Sequence, residues 1–501
     1  MFRRLGAAGM LAALAGLAAG ELLAGLLGTA VSPVEAIGNL VIDLVPPAVK
    51  DLAISLFGTR DKPVLILGIV AITAGLGWWA GTRAERGPAG AGGVFAGAAG
   101  LAMLALGRDP RVGWVLAAVV AGASLLVGLG VLVALQRSAR EPGEADEGRR
   151  GFVLGAGAVL GLVLVAAVGG RALLERGKRS LAGRDGILLP PAAMPSAPPP
   201  EGASLDVPEI TPIVTSNDDF FRIDTALSVP AVDLEDWSLR VTGMVDREVE
   251  LTFAELLDFA LEEHHVTLSC VSNEVGGDLV GTALWLGVPL RRVLDLAGPA
   301  AGAEQIVGRS VDGFTVGFPV QAAYDGRNAL VAVGMNGEPL PFEHGFPARL
   351  VVAGLYGYVS ATKWLAELEL TTWDGFDAFW VPKGWSKEAP VKTQSRIDTP
   401  RSGSALDTSP RAVAGVAWAP GRGIAAVEVR VDDGPWRPAE LSVSLSDDAW
   451  VQWRVPWRPE PGNHVIRVRA TDGTGQTQDE EVRRPAPDGA TGYHTVRVRV
   501  A

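Results

Sequence analysis

Cysteine is the scarcest chemistry in this chain: Cys270 stands alone among 501 residues. A lone thiol cannot close an internal disulfide, carry a c-type haem or build a cysteine-ligated iron–sulfur cluster. Histidine is nearly as rare, and His264, His265, His344, His464 and His494 all follow the apolar N-terminal third, which therefore offers no imidazole pair for a b-type haem. Positive charge is short too. A net charge of -12 and a pI near 5.1, with no basic stripe laced with aromatics, argue against a nucleic-acid partner.

What the chain has in excess is apolar length before Arg171. Five runs, Leu5 to Leu27, Pro63 to Ala80, Ala89 to Leu106, Val112 to Leu135 and Phe152 to Val168, are long enough and nearly free of charge, so each is expected to cross a bilayer. An odd number of spans puts the two ends on opposite sides. Arg3, Arg4, Arg83, Arg86, Arg137, Arg140, Arg149 and Arg150 all fall on one side, which is expected to be cytoplasmic, with the C-terminal two-thirds outside. Arg171, Arg176, Lys178 and Arg179 conflict with that count. Arg149-Arg150 before the apolar run from Phe152 resembles a twin-arginine export signal, which a receptor reads instead of the charge balance. Between spans one and two, Ile37 to Phe57 is broken by Asp43, Pro46, Pro47, Lys50 and Asp51, and reads as one or two short interfacial helices. Glu21, a carboxyl group within a span, is either functional or turned to a neighbouring helix.

Leu189 to Pro200, LPPAAMPSAPPP, is proline-rich and is expected to be extended and without a core of its own. The expected division is a membrane domain over 1–175, a linker over 176–204, a catalytic domain over 205–400 and a β domain over 404–501. In the third of these, Val266, Leu268 and Cys270 alternate with Thr267 and Ser269, a strand with one apolar face running into a glycine-rich loop at Asn273 to Gly281. Strands are expected at Trp237 to Val241 and Glu248 to Leu251, helices at Phe253 to Glu262 and, after Pro289, at Leu290 to Leu296. Without a strict strand–helix–strand repeat, the class is mixed α+β. Position alone leaves Cys270 as a buried hydrophobe, a nucleophile or a soft metal ligand.

Three clusters surround it: Asp219 to Thr225 with Val229-Pro230; Ser310 to Phe314; and the run Met335 to Leu350, MNGEPLPFEHGFPARL, followed by Tyr356-Gly357-Tyr358 and Ala361-Thr362-Lys363-Trp364-Leu365. With the lone cysteine at a strand end, their order resembles the sulfite oxidase family of molybdopterin-dependent oxidoreductases, over about Leu205 to the C-terminus. The resemblance implies a molybdenum–molybdopterin cofactor, with Cys270 as the metal's protein ligand; a soft thiolate suits that metal. It implies cofactor contacts from Arg222, Thr225, His344, Arg349, Thr362 and Lys363, hydrogen-bonding partners in Asp224 and Asp312, and catalytic roles for Cys270 and Arg222. Sulfite oxidases proper carry arginines soon after the cysteine and a tyrosine before the MNG run. Here those places hold Glu274 with Val275, and Val333, so the anion-binding charge and the phenol are missing. Tyr324, Tyr356 and Tyr358 are the candidates to replace the phenol. A cofactor inserted in the cytoplasm would also require export of a folded domain, in keeping with the twin-arginine reading.

From Ser404 the texture changes to short alternating runs, Ala412 to Ala419, Ala425 to Val431, Val451 to Val455, His464 to Ala470 and His494 to Val500, separated by turn dipeptides. This spacing reads as an immunoglobulin-like β-sandwich, with Trp418, Trp436, Trp450, Trp453 and Trp457 supplying much of its core. By resemblance it is a dimerisation domain, which makes a homodimer an expectation.

The expected protein is thus a membrane-anchored oxidoreductase that transfers an oxo group to or from a small substrate, sulfite or a sulfoxide, and exchanges electrons with a separate carrier. The alternatives are a sulfoxide-type reductase on the same cofactor, or a non-enzymatic membrane receptor or assembly protein that retains the fold.

Overall fold

The computed structural model describes residues 2–29, 31–46, 49, 56–57, 61–83, 88–140, 147–181, 183–230 and 232–501. Pro47, Lys50, Asp51 and Arg86 lie outside them. Two compact units are formed: Met1–Gly183 with Thr225–Asp233 and Val311–Gly313, and Arg184–Asp224 with Leu234–Ser310 and Phe314–Ala501.

Five long helices build the first unit: α1 (Phe2–Leu26), α3 (Asp61–Arg83), α4 (Pro88–Arg108), α5 (Trp114–Arg140) and α6 (Glu147–Leu181). Each contains a stretch of at least 18 residues apolar enough to cross a bilayer, as the sequence leads one to expect. The chain is a multi-pass membrane protein with its catalytic region C-terminal to the spans, an arrangement consistent with an extracytoplasmic catalytic domain. Helix α1 packs against α3, α5 and α6. Small residues permit this: a Cβ placed on Gly9 would lie 2.2 Å from the Gly77 carbonyl oxygen, so the two backbones touch where lipid-embedded helices gain most from contact.

One short helix, α2 (Pro33–Leu44), follows α1. Ser32 and Glu35 form a capping box, Pro33 occupies the first turn, and the Glu21 carboxylate accepts from Val34 N at 3.0 Å. Glu21 therefore caps a neighbouring helix, the second of its two readings.

The second unit begins with two sheets. One has the order β2-β1-β10-β5-β6, from β1 (Ser238–Gly243), β2 (Val249–Thr252), β5 (Gln305–Ser310), β6 (Thr315–Pro319) and β10 (Leu365–Thr371). The other runs β3-β4-β7-β8, with β9 also on β7, from β3 (Glu262–Ser269), β4 (Val280–Pro289), β7 (Ala329–Met335), β8 (Glu338–Pro339) and β9 (Arg349–Val352). The helix expected over Phe253 to Glu262 is a single turn and a half, α7 (Phe253–Leu257), because Glu262 already belongs to β3. Helix α8 (Leu290–Ala297) starts after Pro289 and stops at Gly298, which has a φ of 67°.

Strand β3 departs from the expected one-sided pattern: every residue from His265 to Cys270 is buried. Its second face is covered by the C-terminal region, since Thr267 N donates to Asp448 O at 2.9 Å and Thr267 Oγ1 accepts from Trp450 N at 2.8 Å. The edge of β3 is closed by the proline-rich segment. Met194 bridges to Glu262 in parallel register, Glu263 N donates to Met194 O, and Ser196 Oγ meets His265 Nδ1 at 3.1 Å. A stretch that reads as a spacer here covers an open sheet edge.

The C-terminal region has two further sheets: β11 (Gln394–Thr399), β13 (Arg411–Trp418), β17 (Val451–Trp457) and β16 (Glu440–Leu441) in that order, and β12 (Ala405–Leu406), β19 (Thr495–Val500), β18 (Gly462–Asp472), β14 (Ile424–Val431) and β15 (Arg437–Pro438). One apolar core gathers residues of both, from Val413, Val451, Trp453 and Trp457 on the first to Val429, Ile466, Val468 and Val498 on the second. Not all five tryptophans serve it. Trp418 and Trp450 pack instead with Val271, Val280, Tyr356 and Val359 of the catalytic region. Trp436 is only half-buried, lying under the guanidinium groups of Arg430 and Arg469 at 4.9 and 4.3 Å.

Candidate active site

Cys270 follows the last residue of β3, where the chain leaves the sheet. Its N–H donates to Leu279 O at 2.9 Å, its carbonyl accepts from Asn273 N at 3.1 Å, and Asn273 Oδ1 accepts from Leu279 N at 2.9 Å. These bonds tie the glycine-rich loop back across its own mouth. Burial pushes the thiol up, opposed by hydrogen bonding from Ser272, so an empty apolar setting disfavours the thiolate. The C-terminal region backs the loop from outside: Arg396 Nη1 donates to Gly277 O at 2.8 Å, and a Cβ on Gly276 (φ 81°) would collide with the His494 ring at 2.2 Å.

The cluster upstream is seated on the same sheet. Phe220 lies against Gly281 of β4, whose register partner on β3 is Leu268, and its ring meets Trp285 and His344 edge-on at 5.7 and 5.6 Å. This places Arg222 and Asp224 beside the residues of the long run. The Asp224 carboxylate bridges two cations, accepting from Arg222 Nε and from Lys363 Nζ, both at 2.8 Å. Lys363 Nζ also donates to Glu343 O at 3.0 Å. His344 Nε2 meets Asn217 O at 2.9 Å, and Arg349 Nη1 donates to His344 O at 2.9 Å while its guanidinium lies 4.9 Å from the Trp285 ring centre. Thr362 is fully buried, its hydroxyl directed to Gly308 O at 3.4 Å and its carbonyl accepting from Leu350 N.

The electrostatics of this cluster are unbalanced. Among the described residues, Asp224 pairs with Arg222 and Lys363, whereas Arg349 forms no ion pair. Burial alone pushes Arg349 down to about 9; burial pushes Lys363 down to about 8, against the pull of Asp224. Both values say that the cations lack solvation, which a bound anion would restore. An anionic, phosphate-bearing cofactor therefore fits the residues present. Among the described residues no cluster of three or more His, Cys, Asp or Glu side chains could hold a metal.

Thr225 and Asp312 lie in segments grouped with the helical unit, where the charge of Asp312 acts on Arg111. Two further residues join the site, Asn336 and one of the three candidate phenols, Tyr356. Asn336 accepts from Leu284 N at 2.9 Å and donates to Thr215 O and Asn217 Oδ1 at 2.9 and 2.8 Å, holding the upstream segment to the sheet. The signal was in view: Asn336-Gly337, with φ values of 52° and 85°, is the dipeptide of a two-residue hairpin, here joining β7 to β8. The other is Tyr356, a buried phenol pushed up to about 12 by burial, with Cys270 among the charges that act on it. Tyr324 instead bonds Asp295 at an exposed position, and Tyr358 bonds Ser386 O.

Residues 226–380 match the family described as the oxidoreductase molybdopterin binding domain. The sulfite oxidase of Gallus gallus is 30% identical over 323 residues, covering 54% of this chain and 69% of that protein. The chain belongs to the molybdopterin-binding oxidoreductases. Within this family, the NADH nitrate reductase of Spinacia oleracea is 32% identical over 171 residues, which cover 29% of this chain but only 18% of that protein. The sulfane dehydrogenase SoxCD from Paracoccus pantotrophus shares the fold, with a TM-score of 0.50 and 22% identity over 58% of this chain and 82% of that one.

Two histidines of the catalytic unit, His344 buried and His494 half-buried, give the family member a defined acid response. Burial pushes His344 and His494 down to about 4, so both are neutral in the folded protein near pH 7. An unfolded histidine titrates near 6.5, so the unfolded state binds more protons between about 6.5 and 4. Stability is therefore full above about 6.5 and is lost as the pH falls toward 4. Thermal unfolding followed between pH 7.5 and 4.5 is expected to show the midpoint falling across this window, with a shallower fall in His494→Gln.

Proposed function

We propose that this protein is a membrane-anchored member of the sulfite oxidase branch, in which Cys270 ligates molybdenum. The observation that carries the reading is the buried guanidinium of Arg349, which has no carboxylate partner among the described residues, donates to His344 O and lies over Trp285, whose indole N–H donates to Val266 O of the strand that leads to Cys270. Arg222, His344, Arg349, Thr362 and Lys363 would hold the pterin and its phosphate, with Asp224 fixing Arg222 and Lys363 by accepting from both. Thr225 and Asp312 would support it from the chain segments that follow Asp224 and Ser310.

The cofactor, when bound, supplies two-electron oxo-transfer chemistry. The chain's own residues orient it and shape the pocket. The tied loop Asn273 to Gly281 and the buried ring of Tyr356 exclude water around the thiolate, and the excess positive charge of Arg349 and Lys363 balances the anion. Electrons are exchanged with a separate carrier. The two sheets of the C-terminal region are assigned to the immunoglobulin type and to dimerisation, and Arg149-Arg150 to twin-arginine export of the folded domain.

A second reading, reduction of a sulfoxide on the same cofactor, is favoured by the position of Glu274 and Val275, where charge suited to a sulfite anion would be expected. The test is metal and pterin analysis of protein purified from a host competent in cofactor synthesis, followed by turnover with sulfite and with sulfoxides using artificial electron carriers. Molybdenum near one per chain supports the proposal, and the productive substrate chooses the direction. Folded, metal-free protein from such a host would sink both readings and leave a non-enzymatic receptor.

A further inference from the structure

The segment Thr225–Asp233 follows Arg222 and Asp224 directly in the chain, yet it belongs to the helical unit. Its seat is formed by α2 and its neighbours. Lys62 Nζ, at the start of α3, donates to Ala226 O at 2.7 Å. Leu227 reaches the backbone of α2: a Cβ on Gly38 would lie 2.3 Å from Leu227 Cδ1 and 3.5 Å from Ile69 Cδ1. Ser228 Oγ donates to Glu35 Oε2 at 3.1 Å, and the other oxygen of that buried carboxylate meets Arg171 of α6 at 3.5 Å. Glu35 is itself held by the capping box with Ser32, and α2 by Glu21 from α1. Three consecutive residues, Ala226, Leu227 and Ser228, are thus bonded or packed by groups traceable to α1, α2, α3 and α6. Gly38 matters here because any side chain would occupy the space that Leu227 fills.

We infer that the α2 end of the membrane bundle is a receptor for the segment Thr225–Asp233 and so positions Arg222 and Asp224, which makes Lys62, Glu35 and Gly38 positioning residues for the cofactor site and the membrane domain a part of the catalytic scaffold. The coupling passes along the chain: a segment pinned from Ala226 onward leaves Asp224 little freedom, and Asp224 carries the bridge between Arg222 and Lys363. The link to the cofactor rests on the function proposed above; the docking itself does not.

Two measurements on the full-length protein in membranes or nanodiscs separate the two. In the first, a Gly38→Cys/Leu227→Cys pair is oxidised with copper phenanthroline. Efficient cross-linking of the pair, with none in either single variant, is the expected result, and failure to cross-link in protein that is folded and membrane-inserted would overturn the docking. In the second, hydrogen exchange of residues 219–230 is compared between the parent, Leu227→Ala and Lys62→Met. Exchange is expected to rise about tenfold, as the loss of one good contact or hydrogen bond allows, while the sheet containing β3 is unchanged. In protein that binds molybdopterin, release of the pterin should accelerate by a similar factor. Unchanged exchange in both variants overturns the inference. Raised exchange with unchanged pterin release overturns the positioning role alone, and a parent protein without pterin overturns the proposed function while the cross-linking and exchange results stand.

Discussion

Cys270→Ser is expected to reduce oxidoreductase turnover by at least ~100-fold, since even changes to groups behind a metal's ligands cost about 10–100-fold. Serine differs from cysteine by one atom, so packing at the end of β3 should survive. The bonds that shape the loop, Cys270 N to Leu279 O and Asn273 N to Cys270 O, are made by the backbone and are untouched. What changes is the ligand: a hydroxyl is harder and far less acidic than a thiol, and cannot supply the soft anionic sulfur that molybdenum takes. Turnover, molybdenum per chain and the electron paramagnetic resonance of the partly reduced sample would be measured beside the parent. A variant with parental turnover would return Cys270 to the role of a buried hydrophobe.

Arg349→Met is expected to act in opposite directions on the two forms of the protein. In the cofactor-free chain, Arg349 is a buried cation with hydrogen bonds to carbonyl oxygens and no carboxylate partner among the described residues. Replacing buried charges by a well-packed apolar chain is often neutral or stabilising by about 1–4 kcal/mol, although here His344 O loses a donor. With the cofactor bound, the same change removes a desolvated charge from an anion, a loss of about 2–5 kcal/mol. The variant should therefore unfold no earlier than the parent when empty, and should retain less pterin when purified. Reduced stability of the empty form together with full pterin retention would show that Arg349 serves packing only.

The membrane half was legible because its signal is local: an apolar run of bilayer length announces itself without any knowledge of its neighbours. Cys270 was legible as a strand end for a similar reason, through the alternation from Val266 onward. The pattern of β3 was misread because Thr267 and Ser269 have the polarity of a solvent-facing row. Their face is instead closed by Asp448 and Trp450, and no local rule announces a partner so far along the chain. The same holds for Trp418 and Trp450, assigned to the inter-sheet core on residue type and found against Tyr356 and Val271. The role of Asn336 is not legible in its run, because Asn336-Gly337 announces a turn and not the distant backbone that the amide holds.

The long separation across β3 has a consequence for how the chain is made. Thr267 and Trp450, which bond one another, are 183 residues apart, and Arg396 meets Gly277 across 119. During synthesis the strand that ends at Cys270 and the loop after it emerge well before the residues that cover them. A nascent chain therefore carries the thiol on a half-built, open wall, and the wall closes only when the late sheets arrive. Burial of Cys270 and of the second face of its strand is therefore a late event in the folding of this chain.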